Sequence, residues 1–292
     1  MYRKRQILFV FSIEINGAGC YNKGTIGAKA HKERMRIVMN FSNQTAIVTG
    51  AASGMGLLFS KEWAKLGGNV VMCDIKEAVL SEKAEEICAA GAGKAIFAVC
   101  DVRDYTQVCQ AREKAVAAFG RIDLVCNFAG GTAVRMQKVD REKYPEFPDV
   151  PISVYDWGID VNLKGPFYFA HAVLKQMRTQ HSGLIVNIGS ITGEEGDGYG
   201  MDYPTSKAGL MHGLTKSIAQ YGAKYGIRCV CVSPGPVLTR AAMANMHTLL
   251  GRAAQPQEIV DLILFIASEK GQFINGENIM IDGGRNAAGR NC

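Results

Sequence analysis

Short apolar runs alternate with amphipathic stretches from Thr45 to Ile281, and that alternation restricts the chain to a narrow set of folds. Thr45 to Val48 reads as a strand that enters a glycine-rich turn, Thr49-Gly50-Ala51-Ala52-Ser53-Gly54-Met55-Gly56. A helical pattern through Leu57, Leu58, Trp63 and Leu66 follows and stops at Gly67-Gly68, glycines suited to a helix C-cap. Val70 to Cys73, ending in Asp74, completes a βαβ unit. The pattern repeats with helix 79–90, strand 95–100, helix 105–119 and strand 122–126, which runs into Asn127-Phe128-Ala129-Gly130. After a proline-interrupted segment, 131–154, come helix 157–178, strand 184–188, helix 204–225, strand 228–232, helix 256–268 and strand 278–281. Strands that read as continuous apolar runs are buried on both faces. The expectation is an α/β fold, a doubly wound parallel sheet of about seven strands in a single domain.

Charge narrows the partners. The chain has 292 residues, 33 Lys and Arg against 27 Asp and Glu, and a net charge of +6. Residues 1–40 hold eight basic and two acidic residues, leaving 25 of each in 41–292. The body is neutral and offers no electrostatic footprint for nucleic acid. Arg3-Lys4-Arg5 and the apolar run from Ile7 to Phe11 resemble a secretory start, but Glu14 interrupts the run and no small-residue cleavage site follows. Residues 1–40 are read as a basic extension, disordered or lying ahead of a true start at Met35 or Met39. Nine cysteines without metal-ligand spacing point to reduced, buried thiols and a cytoplasmic setting. No run has the length of a transmembrane helix, and the five histidines show no metal spacing, so no catalytic metal is expected.

The first glycine turn carries chemistry. A strand feeding a helix through such a turn aims backbone N–H groups and the helix N-terminus at one point, which suits a pyrophosphate. Asp74, ending the second strand about twenty residues on, is placed to accept from ribose hydroxyls and to repel a 2′-phosphate. The glycine spacing is wider than G-x-G-x-x-G, so a purely structural turn is the competing reading, and Asp74 tips it toward a dinucleotide.

Tyr203 and Lys207 stand four apart, on one face if the stretch is helical, with Pro204 tolerated in a first turn. A free phenol has a pKa near ~10, and a neighbouring cation lowers it toward use as a base. On an ordinary helix such a pair is a solvated face. Ser190 after an apolar strand is by itself a turn cap, Asn162 a surface side chain, and Pro234-Gly235 a turn.

Taken in order, Thr49-Gly50-x-x-x-Gly54-x-Gly56, Asp101-Val102, Asn127-x-Ala129-Gly130, Asn162, Ser190, Tyr203-x-x-x-Lys207 and Pro234-Gly235-x-x-x-Thr239 resemble the short-chain dehydrogenase/reductase family over about residues 41–285. The resemblance implies a Rossmann-type sheet and hydride transfer between a nicotinamide and a secondary alcohol or ketone. It implies Tyr203 as acid/base and Ser190 as holder of the substrate oxygen. Lys207 would bind the nicotinamide ribose and depress the phenol's pKa, and Asn162 would anchor a water that links Lys207 to solvent. It places Gly50, Ser53, Gly54, Met55, Gly56, Asp74 and Ile75 on the cofactor, Asp101 and Val102 beside the adenine, and Ala129 and Gly130 along the cleft. Asn127 would stabilise the central strand, while Pro234, Gly235, Val237 and Thr239 close over the carboxamide. Phe128 departs from the pattern, standing where the family often has a second asparagine.

The reading is therefore an NAD-dependent oxidoreductase, with NAD preferred because Asp74 is present and Ala51, Ala52 and Ser53 include no Lys or Arg. A non-catalytic dinucleotide-binding sensor is the alternative from another class, disfavoured by the intact set Asn162, Ser190, Tyr203 and Lys207. Glu194, Glu195 and Asp197 follow Ser190 and border the substrate side by resemblance. Three carboxylates and a short 234–251 lid favour a sugar or polyol over a 3-oxoacyl thioester or a hydroxysteroid. The resemblance also implies a homotetramer or homodimer built through helices 157–178 and 204–225.

Overall fold

A computed structural model describes residues 11–12, 36–37, 39–91 and 93–288. The chain divides into residues 1–40 and residues 41–292. Within the first unit, Phe11–Ser12 and Arg36–Ile37 form a two-residue antiparallel ladder. The remaining expectations about residues 1–38 lie outside the described residues.

In the larger unit seven strands form one parallel sheet. They are β1 Thr45–Thr49, β2 Asn69–Asp74, β3 Ala95–Val99, β4 Leu124–Asn127, β5 Gly183–Ile188, β6 Ile227–Pro234 and β7 Asn278–Ile281, in the order β3-β2-β1-β4-β5-β6-β7. The chain winds outward from β1 in one direction, returns, and winds outward in the other from β4. Ala46 faces Leu124 across that reversal and Thr49 faces Asn127. The strand ends at such a reversal leave a crevice where helices depart to opposite faces, the place where open α/β sheets bind ligands. Every residue of β1 and of β4 is buried, as continuous apolar runs require of strands covered on both faces.

The covering helices are α1 Gly54–Lys65, α2 Glu77–Ala90, α3 Tyr105–Phe119, α4 Ile152–Ile159, α5 Gly165–Gln180, α6 Asp202–Ala208, α7 Thr215–Gly222 and α8 Pro256–Ala267. Asp104 caps α3 by accepting from the N–H groups of Thr106 and Gln107, and Gly120 ends that helix at φ 74°. Two long helices each contain one wider, π-type turn: Asp160–Lys164 joins α4 to α5, and Gly209–Leu214 joins α6 to α7. The first of them begins five residues earlier than its sequence pattern predicts. Pro151 sits before the first helical residue with extended backbone, where proline does no harm. A one-turn helix at Ala133–Met136 also forms inside the proline-interrupted segment 131–154.

An aromatic stack fixes the base of α1. Phe41 lies 4.0 Å from Trp63 at an interplanar angle of 16°, and Trp63 Nε1 donates to Asn69 O at 2.9 Å. Phe59 continues the stack to Phe128. Phe128 thus packs α1 against the end of β4 and also lines the cleft described below. Asp123 accepts from Thr45 N–H at 2.8 Å and from the Arg121 guanidinium, a structural role.

Candidate active site

The glycine turn after β1 folds back on itself. Gly50 has φ 65°, and a Cβ there would lie 2.9 Å from Ala129 N. A Cβ on Gly56 would lie 2.5 Å from Gly50 O, so α1 packs against the turn only because both positions are bare. Ser53 precedes α1 without a side-chain cap bond, and no acidic residue stands in the first turn. The positive end of the helix is left for an anion. Asp74 straddles the entrance: Oδ2 accepts from Ala52 N–H at 3.2 Å and Oδ1 from Ile75 N–H at 2.8 Å. A carboxylate offers about four lone-pair sites, so it can still accept a ribose hydroxyl.

These groups line a cleft of about 330 Å³ with Met55, Asp101, Val102, Ala129 and Gly130. Bare glycines, an uncapped helix N-terminus and a carboxylate at the end of β2 fit a dinucleotide. Lys76, Cys100, Arg103, Met136, Trp157 and Val161 line it too, which sequence reasoning missed. Arg103 forks onto the Asp101 carboxylate at 3.0 Å through Nε, holding Asp101 below the usual carboxylate range. Its guanidinium also lies 5.9 Å from the Trp157 ring.

At the other end, β5 delivers Ser190 and α6 delivers Tyr203 and Lys207. Ser190, Lys207 and Asn162 are buried, and Tyr203 is half-buried. The helix predicted at this motif forms, with Pro204 in its first turn. Lys207 Nζ donates to Ile188 O at 2.7 Å and lies 5.4 Å from the centroid of the Tyr203 ring. Burial pulls Lys207 down to about 8. Burial also pushes the Tyr203 phenol above its ordinary value, opposed by a hydrogen bond from Ser190 and by the Arg135 and Arg240 guanidiniums. Desolvation of a neutral-preferring ring outweighs its neighbours, and Lys207 spends its shortest bond on a backbone carbonyl.

Asn162 lies in the wide turn between α4 and α5. Its Nδ2 donates to Gly131 O and Gly158 O, and its Oδ1 accepts from Gly131 N–H, all at 2.9 Å. The side chain is committed to backbone partners and holds the Gly130–Gly131 corner. A Cβ on Gly130 would fall 2.6 Å from Asn162 Oδ1 and 3.4 Å from Lys207 Nζ, so the three meet at one point.

Asn127 Nδ2 donates to Asn187 Oδ1 at 2.9 Å, and Asn187 Nδ2 to Thr215 Oγ1 at 3.0 Å, tying β4 to β5 and α7. Gly235 fits against Asp282, where a Cβ would lie 2.7 Å from its Cα, and Pro234 O accepts from Ile191 N–H at 2.9 Å. Val237 is buried and bridges to Ala254, so it offers backbone rather than side chain, while Thr239 is exposed. Pro234 is the last residue of β6 and the other three follow it; none of the four is part of the glycine-turn cleft lining.

The carboxylates after Ser190 each have partners within the chain. Glu195 is forked onto Arg285, with Oε1 to Nε at 2.6 Å and Oε2 to Nη2 at 3.0 Å. Glu194 Oε1 lies 3.0 Å from His212 Nε2, and Asp197 Oδ1 accepts from the N–H groups of Tyr199 and Gly200. The sequence shows the sign of these charges but not their partners, one of which lies 90 residues away. The polyol preference therefore loses its support. Among the described residues no three His, Cys, Asp or Glu side chains gather as metal ligands, and no helix is long and apolar enough to cross a membrane.

The family model described as short chain dehydrogenase matches residues 44–249. The chain is 34% identical to 7alpha-hydroxysteroid dehydrogenase of Bacteroides fragilis, over 84% of this chain and 95% of that protein. It is 34% identical to the 3-oxoacyl-(acyl-carrier-protein) reductase FabG of Thermotoga maritima, over 84% and 99%. It is 32% identical to cis-4-hydroxycyclohexanecarboxylate dehydrogenase of Sinomonas cyclohexanicum, over 85% and 98%. With its sheet order, its glycine cradle and these similarities, the chain belongs to the short-chain dehydrogenases, oxidoreductases that act on CH–OH groups with a nicotinamide dinucleotide.

Proposed function

We propose that residues 41–292 form an NAD-dependent dehydrogenase that interconverts a secondary alcohol and a ketone, with Tyr203 as the acid/base. The observation that carries this reading is the convergence of Ser190, Tyr203, Lys207 and Asn162 beside the Gly130–Gly131 corner, where the cleft ends. A bound nicotinamide supplies the hydride acceptor or donor. Gly50, Ser53, Gly54, Met55 and Gly56 hold the pyrophosphate at the N-terminus of α1. Asp74 and Ile75 hold the adenosine ribose, and Asp101 and Val102 flank the adenine. Ala129 and Gly130 border the nicotinamide ribose, with Pro234, Gly235, Val237 and Thr239 on the carboxamide side.

Ser190 Oγ, which donates to Thr192 Oγ1 and accepts from Thr192 N–H at 3.1 Å here, turns to hold the substrate oxygen beside Tyr203. In oxidation the Tyr203 oxygen takes the hydroxyl proton; in reduction it returns one to the new alkoxide. Such a step contributes typically ~10²–10⁴ in rate. Because burial raises the free phenol's pKa, stabilisation of the phenolate falls to Ser190, the two guanidiniums, and the positive charge of the oxidised ring. Lys207, fixed by Ile188 O, orients the nicotinamide ribose. Asn162 acts as a positioning residue by locking the corner against which that ribose rests.

Asp74 supports NAD over NADP. Lys76 and Arg103 line the same cleft and favour the opposite choice, but Arg103 is already neutralised by Asp101. The half-exposed Tyr105, Phe167 and Tyr221 lie on α3, α5 and α7 and support a homodimer or homotetramer in a cytoplasmic enzyme. Light scattering tests the assembly, and a mass of one chain rejects it. The function is tested by following NADH formation across a panel of secondary alcohols. Turnover of at least one alcohol, faster with NAD than with NADP, is expected; dinucleotide binding without hydride transfer from any of them returns the chain to the sensor reading.

A further inference from the structure

Asp202, the residue before Tyr203, is a carboxylate to which the reaction gives no task. It is 3% exposed and takes part in none of the ion pairs formed among the described residues. Burying a carboxylate without a cation is costly, and groups so placed concentrate at functional sites. Its Oδ2 accepts from the N–H of Ala133, first residue of the one-turn helix, at 3.4 Å. A Cβ on Gly158 would lie 1.8 Å from the same Oδ2, so α4 meets the start of α6 through bare backbone. Oδ1 is buried without a hydrogen bond of ordinary geometry. Burial raises the carboxyl's pKa, and the N–H groups of Ala133, Asp202 and Tyr203 offset this only in part.

These contacts close a ring around the corner of the cofactor cleft. Gly158 O accepts from Asn162 Nδ2, which also donates to Gly131 O, and Asn162 Oδ1 accepts from Gly131 N–H. The segment 131–133 is thus held at one end by Asn162 and at the other by Asp202. Gly200, two residues before Asp202, packs on the same segment, and a Cβ there would stand 3.1 Å from Thr132 Cγ2. Asn162 belongs to the wide turn between α4 and α5, whereas Asp202 belongs to the helix that carries Tyr203 and Lys207. We propose that Asp202 is a positioning residue: it fastens the helix of Tyr203 and Lys207 to the corner on which the nicotinamide ribose rests, and so fixes the phenol oxygen against the nicotinamide. This rests on the reading of Tyr203 as the acid/base. An acid in the first turn of a helix by itself only suits the helix dipole. The bond that sets Asp202 apart reaches a residue 69 positions away.

The test separates the two halves of the cofactor and needs no turnover. NADH and ADP are titrated by calorimetry into the full chain and into Asp202→Ala, Asp202→Asn and Gly158→Ala. Loss of the acceptor in Asp202→Ala should weaken NADH about tenfold, while ADP, which reaches only the adenosine side, changes by no more than about twofold. Asp202→Asn keeps an oxygen for the Ala133 N–H and should recover most of the NADH affinity. Gly158→Ala displaces the carboxylate without altering it and should reproduce the selective loss, which carries the test if Asp202→Ala fails to fold. NADH and ADP weakened alike, as by general loosening, overturn the proposal. So do two unchanged affinities, or an asparagine variant no better than alanine. If the selective loss appears and the parent oxidises no alcohol, the positioning role stands and the dehydrogenase reading fails.

Discussion

The ammonium of Lys207 lies 5.4 Å from the ring centroid of Tyr203, yet its shortest bond, 2.7 Å, runs to the carbonyl of Ile188. The pair is thus a neighbouring cation and phenol in which the cation is anchored from behind, on the end of β5. Anchoring keeps the ammonium aimed along the cleft wall instead of at the phenol oxygen. It also keeps a charge in a buried place, where burial brings its pKa to about 8.

That burial makes a prediction about stability. The folded pKa is below the ordinary 10.5, so between pH 8 and 10.5 the unfolded chain binds more protons than the folded one. Stability from this group rises with pH across that window, and below pH 8 the buried cation is a full cost. Relative to Lys207→Met, the parent should gain roughly 2 kcal/mol between pH 7 and pH 10, because the unfolded lysine still holds most of its protons at pH 10. Urea unfolding of both proteins at several pH values reads this out, and parallel curves would remove the assignment.

Gly130→Ala places a Cβ 2.6 Å from Asn162 Oδ1 and 3.4 Å from Lys207 Nζ. Alanine has no conformational objection there, since Gly130 is not among the residues with positive φ. Activity should fall at least tenfold while the thermal midpoint moves by only a few degrees, about 1–2 kcal/mol. A variant that keeps full kcat/KM would show that the corner does not matter to the reaction.

Cofactor choice gives a third expectation. Asp74→Ala removes the carboxylate that accepts from the N–H groups of Ala52 and Ile75 and that we propose holds the ribose. The ratio of kcat/KM for NAD over NADP should drop by about tenfold or more, one charged hydrogen bond contributing roughly 1.5–3 kcal/mol. An unchanged ratio would mean that Lys76 and Arg103, not Asp74, set the preference.

The fold was legible because its signals are local and repeated. An apolar run such as Thr45–Val48 cannot sit on a half-exposed sheet, and glycines at 50 and 56 announce a backbone that must approach itself. Tyr203 and Lys207 were legible because helical spacing brings them together. Other features leave no local trace. A π-type turn differs from an α-turn by one residue in hydrogen-bond span, so neither 160–164 nor 209–214 is marked by composition, although the first carries Asn162. The start of α4 was hidden because Pro151, read as a breaker, stands just outside the helix. The pairing of Glu195 with Arg285 is a long-range product of the sheet order. Sequence supplied those charges without their geometry, and the polyol reading rested on the charges alone.

The central claim is that Tyr203 moves the proton while the rest of the site binds and orients. Tyr203→Phe keeps the ring and removes only the titrating oxygen, so single-turnover hydride transfer with the best alcohol, measured beside NADH binding, tests it most directly. The account predicts a loss of at least ~10²-fold in the hydride-transfer rate with NADH affinity within a factor of about three of the parent. A variant that transfers hydride within tenfold of the parent would contradict it.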